Sequence, residues 1–323
     1  METLFTTRDF EQRDYERLSE IFHSIYPDYH RSAEELRFED EMFDRKKYML
    51  KRYSVVEPEH GAVVATGGYQ HNPTMFHPQK FQVGVFVDPA WQRRGIGSSL
   101  YNRIMEDLTN LKAITLRLNV REDKQESLSF LEKRGFKERM RAWESRLVVQ
   151  EFDPAPFEAY SKKVADQGVE ISTLSEELQR EPEYKRNVHE LALKIAPDVP
   201  APDKFTEWSY EDTLKYLQHP DILPDGFFIA RDGDRYVGMS DVFKSEKEPE
   251  DLYQQLTGVV REYRGHGIAM ALKLRVVDFA KRYGAKVIKT WNDSTNAGML
   301  AINTRLGFQR RVGWITFEKN LES

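Results

Sequence analysis

Apolar residues at Ile96, Leu100, Ile104 and Leu108 recur at helical spacing and predict an amphipathic helix with one buried face. Leu272, Val276, Phe279, Ala280 and Tyr283 predict a second such helix. A β-rich run precedes each helix, at residues 81–87 and 253–259. Around the first pair the pattern predicts a strand near residues 4–7, helices over 14–25 and 32–41, and strands over 51–56 and 62–70. Beyond that helix, Ile114, Leu116, Leu118 and Val120 alternate as a half-buried strand. A helix over 126–133 then stops at Gly135, and a strand covers 143–149. The second pair sits among a strand over 170–174, helices over 184–195 and 210–217, and strands over 227–231 and 236–243. Asp232-Gly233-Asp234 joins those two strands as a hairpin signal. A strand over 286–291, a helix over 296–306 closed by Gly307 and a strand over 311–317 complete the order.

The two arrangements are copies. Gly95 and Gly267 stand 172 positions apart, as do Gly135-Phe136 and Gly307-Phe308. Val87/Val259, Ile96/Ile268, Leu100/Leu272, Arg103/Arg275, Ala113/Ala285 and Leu128/Leu300 keep that offset without a gap. So long a period means a duplicated domain rather than a solenoid. The expected division is 1–150, a connector over 151–168 with a helix near 157–167, and 169–323.

Composition narrows the function. The chain has 323 residues, 31% charged, with both signs mixed and a net charge of −5, which argues against a partner held by bulk charge such as nucleic acid. It has no cysteine, so thiol catalysis, disulfides and Cys-ligated metal are excluded. No apolar run nears the ~20 residues of a membrane span, and the N-terminal stretch lacks a signal peptide's apolar core. A cytoplasmic protein is expected. The eight histidines show no metal-ligand spacing, and no metal is expected.

Chemistry gathers at the turn before each long helix. Asp88-Pro89 ends the first strand, and Gln92-Arg93-Arg94-Gly95-Ile96-Gly97 leads into Ser98 and the helix. Arg264-Gly265-His266-Gly267-Ile268-Ala269 does so in the second copy. A strand, a glycine turn and a helix N-terminus converge backbone N–H groups on an anion. The dinucleotide fingerprint fails, because Leu100 stands at its last glycine, and no P-loop occurs.

The Q/R-x-x-G-x-G/A pattern resembles the pyrophosphate loop of the GNAT acetyltransferase superfamily. The resemblance covers the chain as two tandem copies and implies an α/β (α+β) fold, each copy a mixed, mostly antiparallel sheet flanked by helices. It implies acetyl-CoA as cofactor and an N-acetyltransferase acting by direct attack of a primary amine of a small molecule or peptide. By resemblance, the backbone of Val85, Phe86 and Val87, or of Thr257, Gly258 and Val259, faces pantetheine. Residues 92–98, or 264–269, would hold pyrophosphate, with Asn292 and Asn296 near the second.

The family's N-x-x-A-x-x-L-Y-x-x-x-G-F segment carries a tyrosine that acts as general acid. Asn303 replaces it in the second copy and Leu131 in the first, which also has Lys124 for the initial Asn. Asn303 reads as a hydrogen-bond donor or as a solvated helix residue. Asp241 and Glu250 are candidate bases, each also readable as a solvated carboxylate. The second copy resembles the C-terminal half of mycothiol synthase-related proteins, which favours it as the catalytic one and the first as degenerate. The missing tyrosines support a competing reading, a non-catalytic acetyl-CoA sensor or scaffold. The first copy's QRRGIG loop, closer to the family consensus, leaves a third, in which that copy is active. The chain is expected to be a monomer or homodimer.

Overall fold

The computed structural model describes residues 5–321. These form two units, one drawn from residues 5–120, 124–139 and 316–321 and the other from 121–123 and 140–315. The expected strand near 4–7 appears as β1 (Thr6–Asp9), and Leu4 lies outside the described residues. The first half continues with α1 (Tyr15–Ile25), α2 (Ala33–Met42), β2 (Leu50–Val56), β3 (Val63–Gln70), β4 (Lys80–Val87), α3 (Ile96–Asn110), β5 (Thr115–Arg121), α4 (Gln125–Glu132) and β6 (Lys137–Val148). The connector carries α5 (Glu158–Ala165). The second half runs through β7 (Val169–Thr173), α6 (Leu174–Arg180), α7 (Tyr184–Ile195), α8 (Tyr210–Leu217), β8 (Phe228–Asp232), β9 (Arg235–Lys244), β10 (Asp251–Val259), α9 (Ile268–Tyr283), β11 (Val287–Asp293), α10 (Ala297–Arg305) and β12 (Gln309–Asn320).

In the first unit β1 to β4 pair antiparallel in chain order, and β4 pairs parallel with β5. The end of β12 lies beside β5: Leu321 N–H donates to the Ile114 carbonyl (2.8 Å) and Thr316 Oγ1 to Asn119 Oδ1 (2.7 Å). In the second unit β7, β8, β9 and β10 pair antiparallel, β10 pairs parallel with β11, and β11 pairs antiparallel with residues 142–148 of β6. The strand pairing within each unit is thus mixed and mostly antiparallel, and helices flank it.

The predicted helix faces are buried. Ile96, Leu100, Ile104 and Leu108 pack into the first core, and Leu272, Val276, Phe279 and Ala280 into the second. Tyr283 is the exception, 40% exposed at the last residue of α9. Helix α6 was not expected from the apolar pattern. A capping box starts it: Thr173 Oγ1 accepts the Glu176 N–H, and the Glu176 carboxylate accepts the Thr173 N–H.

Candidate active site

Each long helix starts from a left-handed glycine, Gly95 at φ 81° and Gly267 at φ 89°. A second left-handed residue lies two positions earlier, Arg93 at φ 62° and Gly265 at φ 80°. This alternation turns successive N–H groups to one side, a concavity suited to an anion. No side chain caps either helix. The first helical hydrogen bonds run from Ser99 to Gly95 and from Ala271 to Gly267, which leaves the N–H groups of the preceding turn for a ligand.

The residue that opens each loop is a latch. Gln92 Nε2 donates to the Val87 carbonyl (3.0 Å), and Arg264 Nε donates to the matching Val259 carbonyl (3.0 Å). Arg264 also reaches Asp198 (2.5 Å), whose carboxyl two arginines, Arg261 first, hold down at about 2. Arg94 lies over the Trp91 ring, and Ser98 Oγ accepts from Arg134 (2.8 Å). The His266 carbonyl accepts from Gln167 Nε2 (3.2 Å). Replacing Arg264 with Gln, the residue the first half uses, is expected to keep the latch and hold affinity for a diphosphate-bearing ligand within threefold, and Arg264→Ala is expected to lose about tenfold, both read by calorimetric titration.

Both central strands part from their parallel neighbours. Strand β4 pairs with β5 only over residues 80–82, and β10 with β11 only over 251–253. Residues 83–87 and 254–259 therefore present one backbone edge to an open gap. The two gaps differ in detail. In the first half, pairing of β4 with β3 runs without interruption from Gln82↔Gln70 to Val87↔Ala65. In the second, Gln254 lies opposite Val242 but Thr257 lies opposite Ser240, so β10 holds one extra residue.

A bulge frees an N–H, and here a buried carboxylate takes it. Asp241 Oδ1 accepts the Leu256 N–H (3.1 Å), and its Oδ2 accepts the Tyr216 hydroxyl (2.5 Å). Asp241 is 1% exposed, and burial pushes its carboxyl up to about 6. Burial, with Asp241 beside it, holds the Tyr216 phenol well above its usual range. The Tyr216 ring, by contrast, reaches the surface. The solvated reading of Asp241 is thus corrected. The other candidate, Glu250, pairs with Lys286 at the surface (2.6 Å).

Asn303 is buried too, which corrects its solvated reading. Its Nδ2 donates to Asn292 Oδ1 (2.6 Å), and its own Oδ1 is buried without a partner. Asn296 caps α10, accepting the Met299 N–H (3.2 Å). Gly258 has a steric reason: a Cβ there would lie 2.1 Å from Ile195 Cγ2. Phe86 holds the matching place in the first half and packs with the cluster around Tyr15 and Leu36.

The Acetyltransferase (GNAT) family profile matches residues 15–136 and 189–308, one stretch in each half. The chain belongs to the GNAT acetyltransferase family. It is 27% identical over 130 residues to an uncharacterized N-acetyltransferase of Methanocaldococcus jannaschii, a match that takes in 36% of this chain and 53% of that relative. The chain thus spans about half the length of that curated relative. It is 24% identical over 235 residues to the mycothiol acetyltransferase of Geodermatophilus obscurus, covering 71% of each. Its fold matches a tandem GNAT protein from the clavulanic acid biosynthesis pathway, with a TM-score of 0.72 at 19% identity, over 99% of each chain.

Members of the GNAT family are acyltransferases that use acetyl-CoA. The residues present fit that ligand: an open strand edge for amides, a turn of N–H donors for phosphates, and an orphaned Asn303 oxygen for a ligand N–H or S–H. Among the described residues no helix is long and apolar enough to cross a membrane. One trio, Glu57, Glu59 and His60, has side-chain oxygen and nitrogen atoms close enough to hold a metal, but the Glu57 carboxylate already accepts the N–H groups of Glu59, His60 and Ala62. Sequence reading did not place Tyr216 beside Asp241 or Asp198 beside Arg264. Each matters through a partner distant in sequence.

Proposed function

We propose that the second half binds acetyl-CoA and moves its acetyl group to a primary amine of a small molecule or peptide by direct attack. The observation that carries this reading is the Asp241 carboxylate clamped on the β10 bulge, beside an opened strand and a cradle; the first half has an unbroken pairing and Tyr69 at the matching place. Bound acetyl-CoA supplies the activated thioester. The backbone of Gly265–Ala269 faces its pyrophosphate, and that of Thr257, Gly258 and Val259 faces pantetheine. The amine must be neutral to attack, and Asp241 takes its proton through the Tyr216 hydroxyl, which passes one proton on as it receives another. The new C–N bond replaces the C–S bond. Asn303 and Asn292 offer amide hydrogen bonds to the departing sulfur. With no cysteine in the chain, no thiol-borne acyl-enzyme competes.

Calorimetric titration of acetyl-CoA tests the reading. One site per chain is expected. Two sites would mean that both cradles are live, and no binding would end the reading. A panel of primary amines then identifies the acceptor by release of free thiol, a readout without background in a chain that has no cysteine.

A further inference from the structure

A buried polar chain lies on the α9 side of β9 and β10. Lys273 Nζ donates to Gln254 Oε1 (2.5 Å). Gln254 Nε2 lies 2.9 Å from Ser240 Oγ and 3.2 Å from Thr257 Oγ1, and the two hydroxyls are 2.8 Å apart. Ser240, Gln254 and Lys273 are buried, and Thr257 is half-buried on the part of β10 that has left β11. The Phe308 ring lies 4.9 Å from the lysine nitrogen, and the Gln254 carbonyl oxygen is its hydrogen-bond acceptor.

Counting donors fixes the direction of every bond. A lysine ammonium only donates, so it draws the Gln254 oxygen toward itself and turns the Gln254 amide hydrogens to the two hydroxyls. Each hydroxyl then accepts once from Gln254, and one proton is shared between them. If Thr257 gave it, the Ser240 proton would be stranded at a site with no exposure. So Ser240 donates to Thr257. Thr257 accepts twice, and its own proton is left to point out of the network. The bulge makes this possible, because it sets Thr257 opposite Ser240 and on the same face as Gln254.

We propose that the Thr257 hydroxyl is a committed donor to a carbonyl oxygen of the bound acyl donor, and that Lys273 is the positioning residue that commits it. The inference rests on acetyl-CoA binding in the second half. Burial pushes the Lys273 ammonium down to about 7, so the lock is strongest below neutral pH. The first half cannot make this donor. At the matching places it has Gly68, Gln82, Val85 and Tyr101, and the Tyr101 hydroxyl is buried without a partner.

The test measures affinity for acetyl-CoA and for CoA by calorimetry on the full chain. Thr257→Val is expected to lose about tenfold, and Thr257→Ser to stay within threefold. Loss for acetyl-CoA alone identifies the thioester carbonyl, and equal loss for both ligands identifies a pantetheine amide. Lys273→Met frees the Gln254 amide to turn over and is expected to reproduce the Thr257→Val loss without lowering the melting temperature. The double variant is expected to lose no more than either single one. Wild-type affinity in Thr257→Val overturns the donor. Wild-type affinity in Lys273→Met, or additive losses, overturns the positioning role. A wild-type chain that binds neither ligand would instead sink the functional reading beneath both.

Discussion

Gly267→Val is expected to lower acetyl-CoA affinity at least a hundredfold and to leave the fold intact. Gly267 sits at φ 89°, where an L side chain is strained by roughly 1–2 kcal/mol and a β-branched one by more. A Cβ would also lie 3.7 Å from the Tyr160 ring of α5, so the branch meets a wall. The backbone relieves the strain by rotating, and rotation takes the N–H groups of the first α9 turn off the phosphates. A loss of about 2.7 kcal/mol in binding is a hundredfold. Gly265 supplies the control. Its counterpart Arg93 already carries a side chain at φ 62°, so Gly265→Arg is expected to bind within a few fold. Gly95→Val asks the same question of the first half. Affinity that survives Gly267→Val but falls with Gly95→Val would move the acetyl-CoA site to the first cradle. Thermal melting of each variant separates lost binding from lost fold.

The cradles were legible because their information is local. A strand that stops, glycines two residues apart and a helix with apolar residues every three or four positions can be read from one stretch of chain. The duplication sharpened that reading, since Gly95 and Gly267 hold the same left-handed place. The surroundings of Asp241 were not legible, because they depend on register. Nothing within residues 251–259 says that β10 gains one residue on β9 between Gln254 and Thr257. Without the bulge, Asp241 has no N–H to accept and reads as another surface acid. Lys273 stood in sequence as a charged residue on a helix, and in the structure it is buried, with its ammonium donating to Gln254 and lying 4.9 Å from the Phe308 ring. The ends of β6 and β12 were missed for another reason. Each strand is 12 residues long and starts with polar or charged residues, Lys137, Glu138, Arg139 and Arg141 in one and Gln309 and Arg310 in the other, that hide its start from an apolar pattern.

Asp241→Asn is expected to cut kcat/KM by about a hundredfold to a thousandfold while making the protein more stable above pH 6. Asparagine keeps the geometry: its oxygen can accept the Leu256 N–H, and its amide can donate to the Tyr216 oxygen. What it loses is the capacity to take a proton. In the wild type, kcat/KM should therefore fall tenfold per pH unit below about 6, as Asp241 is protonated, and this limb should vanish in the variant. The stability change has the opposite sign. The carboxyl sits at about 6 in the folded protein and near its ordinary 3.8 in the unfolded chain. The folded state therefore holds the proton more tightly, and stability is lost as pH rises from about 4 to about 6. Above pH 6 the buried charge costs on the order of 2–3 kcal/mol, which asparagine removes. Below pH 4 the two proteins should melt alike. A carboxylate kept only to hold the bulge would give the reverse: Asp241→Asn would melt at the same temperature or lower and turn over normally.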